Sequence, residues 1–285
     1  MFRKWMPLAL AIFCAAGCAQ PQAAPTDESF FFIQMADPQL PWGPAELWEK
    51  AVGEANRLRP AFVVVTGDLT HPTGDTKMTK QYLDIAAKLD TSIPLYNVAG
   101  NHDVGNKPTP ESLAYYRKHY GKCWYSFEHH RSLFVVLESD LMRAGDGAPE
   151  AARQQMTWLR RTLADSDGKG YRHKMVFMHH PVAVVDMEQW TGWGLPKPFR
   201  QEFVKLLQAH GVRAVFSGHF HRNAYTKAGD LELVTTASSG KPLGSDPPGF
   251  RIIKVYPDRI EHAYYIYDKM PAAVELDKLT PTLDP

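Results

Sequence analysis

Short apolar runs alternate with helix-patterned segments along residues 30–221. The runs are typical of buried strands, and they read FFFIQMA, AFVVVTG, IPLYNVAG, SLFVVLES, HKMVFMHH and VRAVFSG. Helices are predicted over residues 44–59, 75–90, 110–120, 149–165 and 199–211. In the second of these, apolar side chains recur at the spacing of one helix face. From residue 222 onward the pattern changes to paired strands, so the whole order predicts an α/β protein with mixed sheets.

Five of the strand-like runs end in a carboxylate, an amide or an imidazole. They are followed by Asp37-Pro38-Gln39, Gly67-Asp68, Gly100-Asn101-His102-Asp103, His179-His180-Pro181 and Gly218-His219-Phe220-His221. In open α/β sheets, ligands bind beyond the carboxyl ends of the strands. Carboxylates and imidazoles are strong metal ligands, and no thiol is among these residues. Each motif alone has an ordinary explanation, such as a turn or a surface histidine. Their recurrence at five strand ends favours one shared metal site.

The order of these motifs resembles the calcineurin-like metallophosphoesterase superfamily, and the resemblance covers essentially the whole chain after its N-terminal segment. The superfamily pattern is Asp-x-His, Gly-Asp, Gly-Asn-His-Asp, His and Gly-His-x-His. The sequence is more similar still to the calcineurin-like phosphoesterase domain-containing protein 1 group, in which the first motif is also Asp-Pro-Gln. The segments YNVAGNHDVGN, VFSGHFHRN and SSGKPLGSDPPGFR also look like that group. The resemblance implies a four-layer α/β/β/α sandwich with two mixed sheets, the metallo-dependent phosphatase fold.

The resemblance also implies two divalent metal ions bridged by Asp68. The first ion would be held by Asp37, Gln39, Asp68 and His221, and the second by Asp68, Asn101, His179 and His219. Gln39 departs from the superfamily, where histidine is usual. An amide is a weaker ligand than imidazole for zinc or iron. We therefore expect a first site that is loose, selective for manganese, or empty without added metal; manganese, iron and zinc all remain candidates.

The catalytic residues are likewise implied by the resemblance. A hydroxide bridging the two metals would attack the phosphate ester, and His102 would donate a proton to the leaving oxygen or stabilise its charge. Asp103 would orient His102. Arg222 and Asn223 would hold a phosphate oxygen, although Arg222 reads equally well as a surface arginine.

The segment of residues 186–198 is too polar and turn-rich for a core. Its Trp190 and Trp193 either cap the site or pack under the loop.

The N-terminus reads as a secretory signal over residues 1–17, with two basic residues, an apolar stretch and small residues before Cys18. The sequence AAGC resembles a bacterial lipobox, so Cys18 is predicted to carry lipid; a plain signal peptide with an incidental Cys18 is the alternative. Residues 18–29 then form a flexible tether, residues 30–270 the phosphoesterase domain, and residues 271–285 a C-terminal tail. Because Ala19 is not aspartate, the resemblance implies the outer membrane, facing the periplasm, if the cell has two membranes.

The net charge and the cysteine content argue against a nucleic-acid partner and against an internal disulfide. The 285-residue chain has a net charge of +1 and no basic stripe, which argues against nucleic acid. Cys123 is the single cysteine left in the predicted mature chain, so no internal disulfide is expected. Hydrolysis of a phosphomonoester is the favoured function. The alternatives are a phosphodiesterase acting on a cyclic nucleotide or phospholipid head group, and a non-catalytic lipoprotein that binds metal or phosphate. The sequence does not predict the oligomeric state.

Overall fold

Two mixed β-sheets lie face to face in the computed structural model, which describes residues 29–276. The predicted signal peptide, Cys18 and the last residues of the predicted tail lie outside the described residues. Within residues 29–276, no helix has the length and apolar character needed to cross a membrane.

The first sheet has the strand order β11-β10-β1-β2-β3. Its strands are β1 (Phe30–Met35), β2 (Val63–Thr66), β3 (Leu95–Val98), β10 (Gly249–Val255) and β11 (Ile260–Ile266). The pairs β1–β2 and β2–β3 are parallel, so three strand ends meet at one edge of this sheet. β10 runs antiparallel to β1 and to β11.

The second sheet has the strand order β4-β5-β6-β7-β9-β8. Its strands are β4 (Tyr125–His129), β5 (Ser132–Val136), β6 (His173–Phe177), β7 (Ala214–Ser217), β8 (Ala224–Ala228) and β9 (Leu231–Thr235). The four strands β5, β6, β7 and β9 are parallel, and the hairpin partners β4 and β8 lie at the two edges.

Seven α-helices are found in the described residues, and they cover the outer faces of both sheets. They are α1 (Ala45–Leu58), α2 (Thr76–Ala86), α3 (Asn101–Val104), α4 (Pro110–His119), α5 (Asp140–Ala144), α6 (Pro149–Ser166) and α7 (Lys197–Ala209). One apolar cluster packs α1, α2 and α4 on the first sheet, and another packs α6 and α7 on the second. A third cluster fills the space between the sheets, with Phe32, Phe62, Phe134 and Phe177 at its centre. The predicted four-layer α/β/β/α sandwich is therefore confirmed.

A buried glutamine joins the two sheets just below the strand ends. The Gln34 side chain donates to Thr66 Oγ1 at 3.1 Å and to the Ser217 carbonyl at 2.9 Å, and its oxygen accepts from Thr236 Oγ1 at 2.7 Å. Thr66 belongs to the first sheet and Ser217 to the second. Because a buried amide is costly unless its bonds are made, this network fixes how the two sheets align beneath the site.

The predicted helices and strands all form, within a few residues of their predicted bounds. Two short helices, α3 and α5, were not predicted; α3 begins three residues after the end of β3, and α5 begins four residues after the end of β5. Cys123 is buried, as predicted, and burial raises the pKa of its thiol to about 12. The first residues of the predicted tail are held against α1, because Arg57 donates to the carbonyls of Pro271 and Ala272.

Candidate metal centre

The predicted ligands converge at the carboxyl ends of the parallel strands, where the two sheets meet. β1, β2 and β3 lead to the predicted ligands of the first sheet, and β6 and β7 to those of the second. Six of the seven predicted ligand side chains are buried; Asp37, Gln39 and His179 have no exposed area and Asp68 only 1%, whereas His219 is partly exposed.

Tight turns place these side chains over the strand ends. Five of the seven predicted ligands have a positive φ, and they are Asp37 (51°), Gln39 (47°), Asp68 (51°), His219 (67°) and His221 (54°). Such backbone conformations cost about 1–3 kcal/mol for a residue other than glycine and cluster at functional sites. The turns reverse the chain as each strand ends.

One group of ligand atoms surrounds the Nε2 atom of His179. The Asn101 Oδ1 atom lies 3.0 Å from it and the His219 Nδ1 atom 3.1 Å. The Asp68 Oδ1 atom lies 3.3 Å away. These four residues are the predicted ligand set of the second ion, and their donor atoms meet at one point. His179 Nδ1 bonds the Thr66 carbonyl at 2.9 Å, which fixes the ring.

A second group contains Asp37, Asp68 and His221, whose donor atoms all lie within 4.8 Å of one another. His221 Nε2 is 3.4 Å from Asp37 Oδ1, and the other ring nitrogen bonds the Lys241 carbonyl at 2.5 Å. Asp68 takes part in both groups, as expected for a bridging ligand.

The amide orientation of Gln39 follows from its neighbours. Its Nε2 atom lies 3.3 Å from Asp68 Oδ2 and 3.3 Å from His71 Nδ1. The opposite amide orientation would place the amide oxygen against the Asp68 carboxylate, so the nitrogen is the atom that faces Asp68. Within the described part of the chain, residues 29–276, the oxygen Oε1 is buried with no hydrogen-bond partner.

Glycine at position 100 lets two strand ends approach closely. A Cβ atom there would lie 2.3 Å from both the backbone nitrogen and Oδ1 of Asp68. Its conformation, with φ −117°, is open to any residue, so the need for glycine is steric.

His102 lies beside Asp68, the residue that takes part in both groups of ligand atoms. Its backbone N–H donates to Asp68 Oδ1 at 2.9 Å, and its ring Nδ1 bonds the His71 carbonyl at 2.9 Å. The His71 ring stacks on the His102 ring with a centroid distance of 4.4 Å. His71 was not predicted as part of the site. The sequence signal that could have indicated it is its position three residues after Asp68.

Asp103 lies next to His102 in the chain, and its predicted role in orienting His102 stays a prediction. The Asp103 carboxylate accepts backbone N–H bonds from Leu69, Thr70 and Gly100. It therefore holds the Asp68 loop against the start of α3. Burial and then the charge of Asp68 raise the pKa of Asp103 to about 8, and these N–H donors act in the opposite direction.

The electrostatic environment differs between His179 and His219, the two histidines of the group around His179 Nε2. Burial opposes charge on His179, but the charges of Asp68 and Asp37 outweigh it and raise the pKa of His179 to about 10. Burial and the charge of His179 lower the pKa of His219 to about 2. The carboxylate charges that favour a proton on His179 would equally favour a cation among these ligand atoms.

Residues 32–223 match the sequence profile of the calcineurin-like phosphoesterase family. The chain belongs to this family. It is 34% identical over 265 residues to a serine/threonine-protein phosphatase CPPED1 from Bos taurus, covering 85% of each chain. It is 25% identical over 182 residues to a probable cyclic nucleotide phosphodiesterase from Fibrobacter succinogenes, covering 62% of this chain and 64% of that protein. A dimetal phosphatase from Danio rerio has the same fold, with a TM-score of 0.64, 19% identity, and coverage of 84% of this chain and 96% of that one.

This calcineurin-like phosphoesterase is therefore a hydrolase acting on phosphoric ester bonds, and its family depends on two metal ions. The described residues fit such ions. Carboxylate, imidazole and amide donors converge without any thiol, which suits divalent manganese, iron or zinc. The buried, unpartnered Gln39 Oε1 is the atom that a cation would satisfy.

His180 is near the centre but has both ring nitrogens engaged. Nδ1 bonds Ser139 Oγ at 2.9 Å, and Nε2 accepts from Arg143 Nη1 at 2.7 Å. These contacts hold the His180 ring in place, although one of its donor atoms lies within 4.8 Å of those of His179 and His219. Ser139 and Arg143 follow β5, a sixth strand end that the sequence prediction did not include.

The predicted phosphate-binding residues of this calcineurin-like phosphoesterase make other contacts. Arg222 donates from Nε and Nη2 to the Leu243 carbonyl, and its guanidinium lies over the Phe220 ring. Asn223 Oδ1 accepts from the buried Arg251 at 2.9 Å. Substrate binding by Arg222 and Asn223 stays a prediction.

Of the two loop tryptophans, Trp193 lies 5.4 Å from the His219 ring, whereas Trp190 is 62% exposed. On the opposite flank, Trp42 lies 5.7 Å from the His221 ring. An indole ring thus lies against a predicted metal-ligating histidine on each side of the centre.

Proposed function

We propose that the protein hydrolyses phosphomonoesters with a pair of divalent metal ions. The observation that carries the proposal is the convergence of seven predicted ligands from both sheets, with the His102 imidazole beside them. The relatives named as serine/threonine-protein phosphatases support the choice of a monoester.

Each side chain has a part in this scheme. The first ion would be held by Asp37, Gln39, Asp68 and His221, and the second by Asp68, Asn101, His179 and His219. When bound, such a pair of ions activates water and offsets the charge of the phosphoryl oxygens.

His102 supplies the proton for the leaving oxygen. Its Nδ1 donates to the His71 carbonyl, which fixes the orientation of the ring. The other nitrogen, Nε2, then gives its proton to the leaving group as the ester bond breaks. Asp103 keeps the surrounding loops in place through three backbone amides.

The Gln39 oxygen makes the first site suited to manganese. An amide oxygen is a hard, neutral ligand, which manganese accepts more readily than zinc or iron does. We propose manganese for the first site; iron, zinc and manganese are all candidates for the second site.

A phosphodiesterase is the second candidate, because relatives named as probable cyclic nucleotide phosphodiesterases align with up to 65% of the length of this chain. A non-catalytic lipoprotein that binds metal or phosphate is favoured only by Gln39. His102 argues against it, since binding alone requires no proton donor.

A panel of esters tests the proposed reaction. The purified protein, supplied with manganese, is offered phosphomonoesters and phosphodiesters that share one leaving group. We expect a higher kcat/KM on the monoesters. Preference for the diesters would favour the second candidate, and no hydrolysis of either would favour the binding protein.

We also propose that Cys18 carries lipid and anchors the protein to the cell envelope, on the periplasmic face of the outer membrane. Several acyl chains together anchor a protein stably, whereas one chain holds it weakly. Cys18→Ala is expected to release the protein from the membrane fraction or to stall its processing; Cys14→Ala is the control. Normal processing and membrane fractionation of Cys18→Ala would rule out the lipid anchor.

A further inference from the structure

A sixth strand end borders the metal centre. β5 lies parallel to β6, the strand that leads to His179 and His180, so their carboxyl ends are neighbours. After β5 the chain passes through Glu138 and Ser139 into α5, which carries Arg143.

Arg143 has only neutral hydrogen-bond partners. Its Nη1 donates to His180 Nε2 at 2.7 Å and its Nη2 to the Gly192 carbonyl at 3.5 Å. Nε is buried without a partner. Among residues 29–276, no ion pair to Arg143 is found within 4.0 Å.

The nearby acids do not neutralise Arg143. Glu138 uses both carboxylate oxygens to accept the backbone N–H groups of Asp140 and Leu141. Asp140 lies 3.8 Å from His180 Nε2, and burial together with the charge of Glu138 raises the pKa of Asp140 well above its usual range. An arginine is always charged, so a partly buried positive charge stands here without an ion-pair partner among residues 29–276.

This charge lies next to the group of predicted ligands around His179 Nε2. The His180 ring, which accepts from Arg143, is 4.0 Å from the His219 ring by centroids. Gly192, the other acceptor, directly precedes Trp193, which covers His219.

We propose that Arg143 binds the phosphoryl group of the substrate and favours the dianion of a phosphomonoester. This inference rests on the proposed function and adds the residue that selects the substrate class. Each terminal guanidinium nitrogen carries two N–H groups, and the protein contacts account for one on each, which leaves an N–H pair for an anion. A monoester carries nearly two negative charges at neutral pH, whereas a diester carries one, so the monoester gains more from an unpaired cation.

Phosphate binding tests this role apart from turnover. Inorganic phosphate is titrated calorimetrically into manganese-loaded wild type, Arg143→Ala, Arg143→Lys and the control Arg161→Ala, an exposed surface arginine. Metal content is measured on each sample. We expect the Kd for phosphate to rise about 10- to 100-fold in Arg143→Ala, as for the loss of hydrogen bonds to a charged group. The Kd of Arg143→Lys should lie between those of wild type and Arg143→Ala, because lysine keeps the positive charge and lacks the planar guanidinium. The Kd of Arg161→Ala should match that of wild type.

Kinetics supply the second readout. KM should rise more for a monoester than for a diester in Arg143→Ala. Unchanged phosphate affinity at full metal content would overturn the proposal, and a lower melting temperature alone would assign Arg143 to tethering the Gly192 loop. If Arg143→Ala does not fold, Arg143→Lys decides: severalfold weaker phosphate binding supports the proposal and wild-type binding overturns it. Phosphate binding that depends on Arg143 in a protein that hydrolyses no ester would refute the proposed function and leave this inference standing.

Discussion

At the scale of single residues, Gln39 is the position that would set the character of the proposed first metal site. Its amide nitrogen faces Asp68 Oδ2 and His71 Nδ1, and its oxygen is buried without a partner. The oxygen is therefore the ligand atom available to a cation. A neutral oxygen binds zinc or iron less strongly than the imidazole found at this place in most of the superfamily.

Substituting Gln39→His tests that reading. The variant is expected to need less added zinc or iron for half-maximal activity, because imidazole is the stronger ligand. Metal titrations followed by hydrolysis measure this, with Gln154→His on the exposed face of α6 as the control. An unchanged metal requirement would show that position 39 is not a ligand.

A different outcome is expected for His102→Ala. His102 is proposed as a proton donor and touches Asp68 only through its backbone. Both metals should stay bound while turnover falls about 10²–10⁴-fold, and the loss should be smaller on an ester with an activated leaving group. Metal content and kcat distinguish this variant from His221→Ala, which should lose metal. Loss of metal from His102→Ala would contradict the assignment.

At the scale of elements, the predicted strands and helices form because their apolar periodicity is strong. Five functional strand ends were predicted for the same reason, since each polar motif follows a clear apolar run. The sixth, after β5, was missed because Glu138 and Asp140 resemble ordinary turn residues, and Arg143 lies beyond them on a helix of five residues.

Contacts between elements could not be predicted from the sequence. Asp103 follows His102 in the chain, yet its carboxylate bonds the loop after β2. Gln34 sits in an apolar strand, and its role in joining the sheets depends on Ser217 and Thr236, far along the chain. Such partners are fixed only when the sheets pack.

The approach of the strand ends can be tested at glycine. Gly100→Ala would place a methyl group 2.3 Å from Asp68, and overpacking of this kind typically costs about 1–3 kcal/mol. Gly53→Ala in helix α1 meets nothing within 4 Å and should raise stability by about 0.5–1 kcal/mol. Denaturant unfolding measures both variants. Equal stability of Gly100→Ala and wild type would contradict the close approach.

At the scale of the whole molecule, the metal centre connects the two sheets. Asp37, Asp68 and Asn101 come from the first sheet, and His179 and His219 follow strands of the second. Ions held between them would bind the folded state and not the unfolded chain, so they should stabilise the fold. At a free metal concentration 100 times the Kd, the gain is about 2.7 kcal/mol. Melting temperatures with and without metal test this, and a melting temperature that is independent of metal would contradict it.

The central claim is that hydrolysis depends on metal held by these strand ends. The most direct measurement adds manganese stepwise to chelator-treated protein and records bound metal and hydrolysis of a phosphomonoester in the same samples. The account predicts binding of up to two ions per chain, with activity absent at the start and rising with occupancy. Full activity in the rigorously metal-free protein would contradict it.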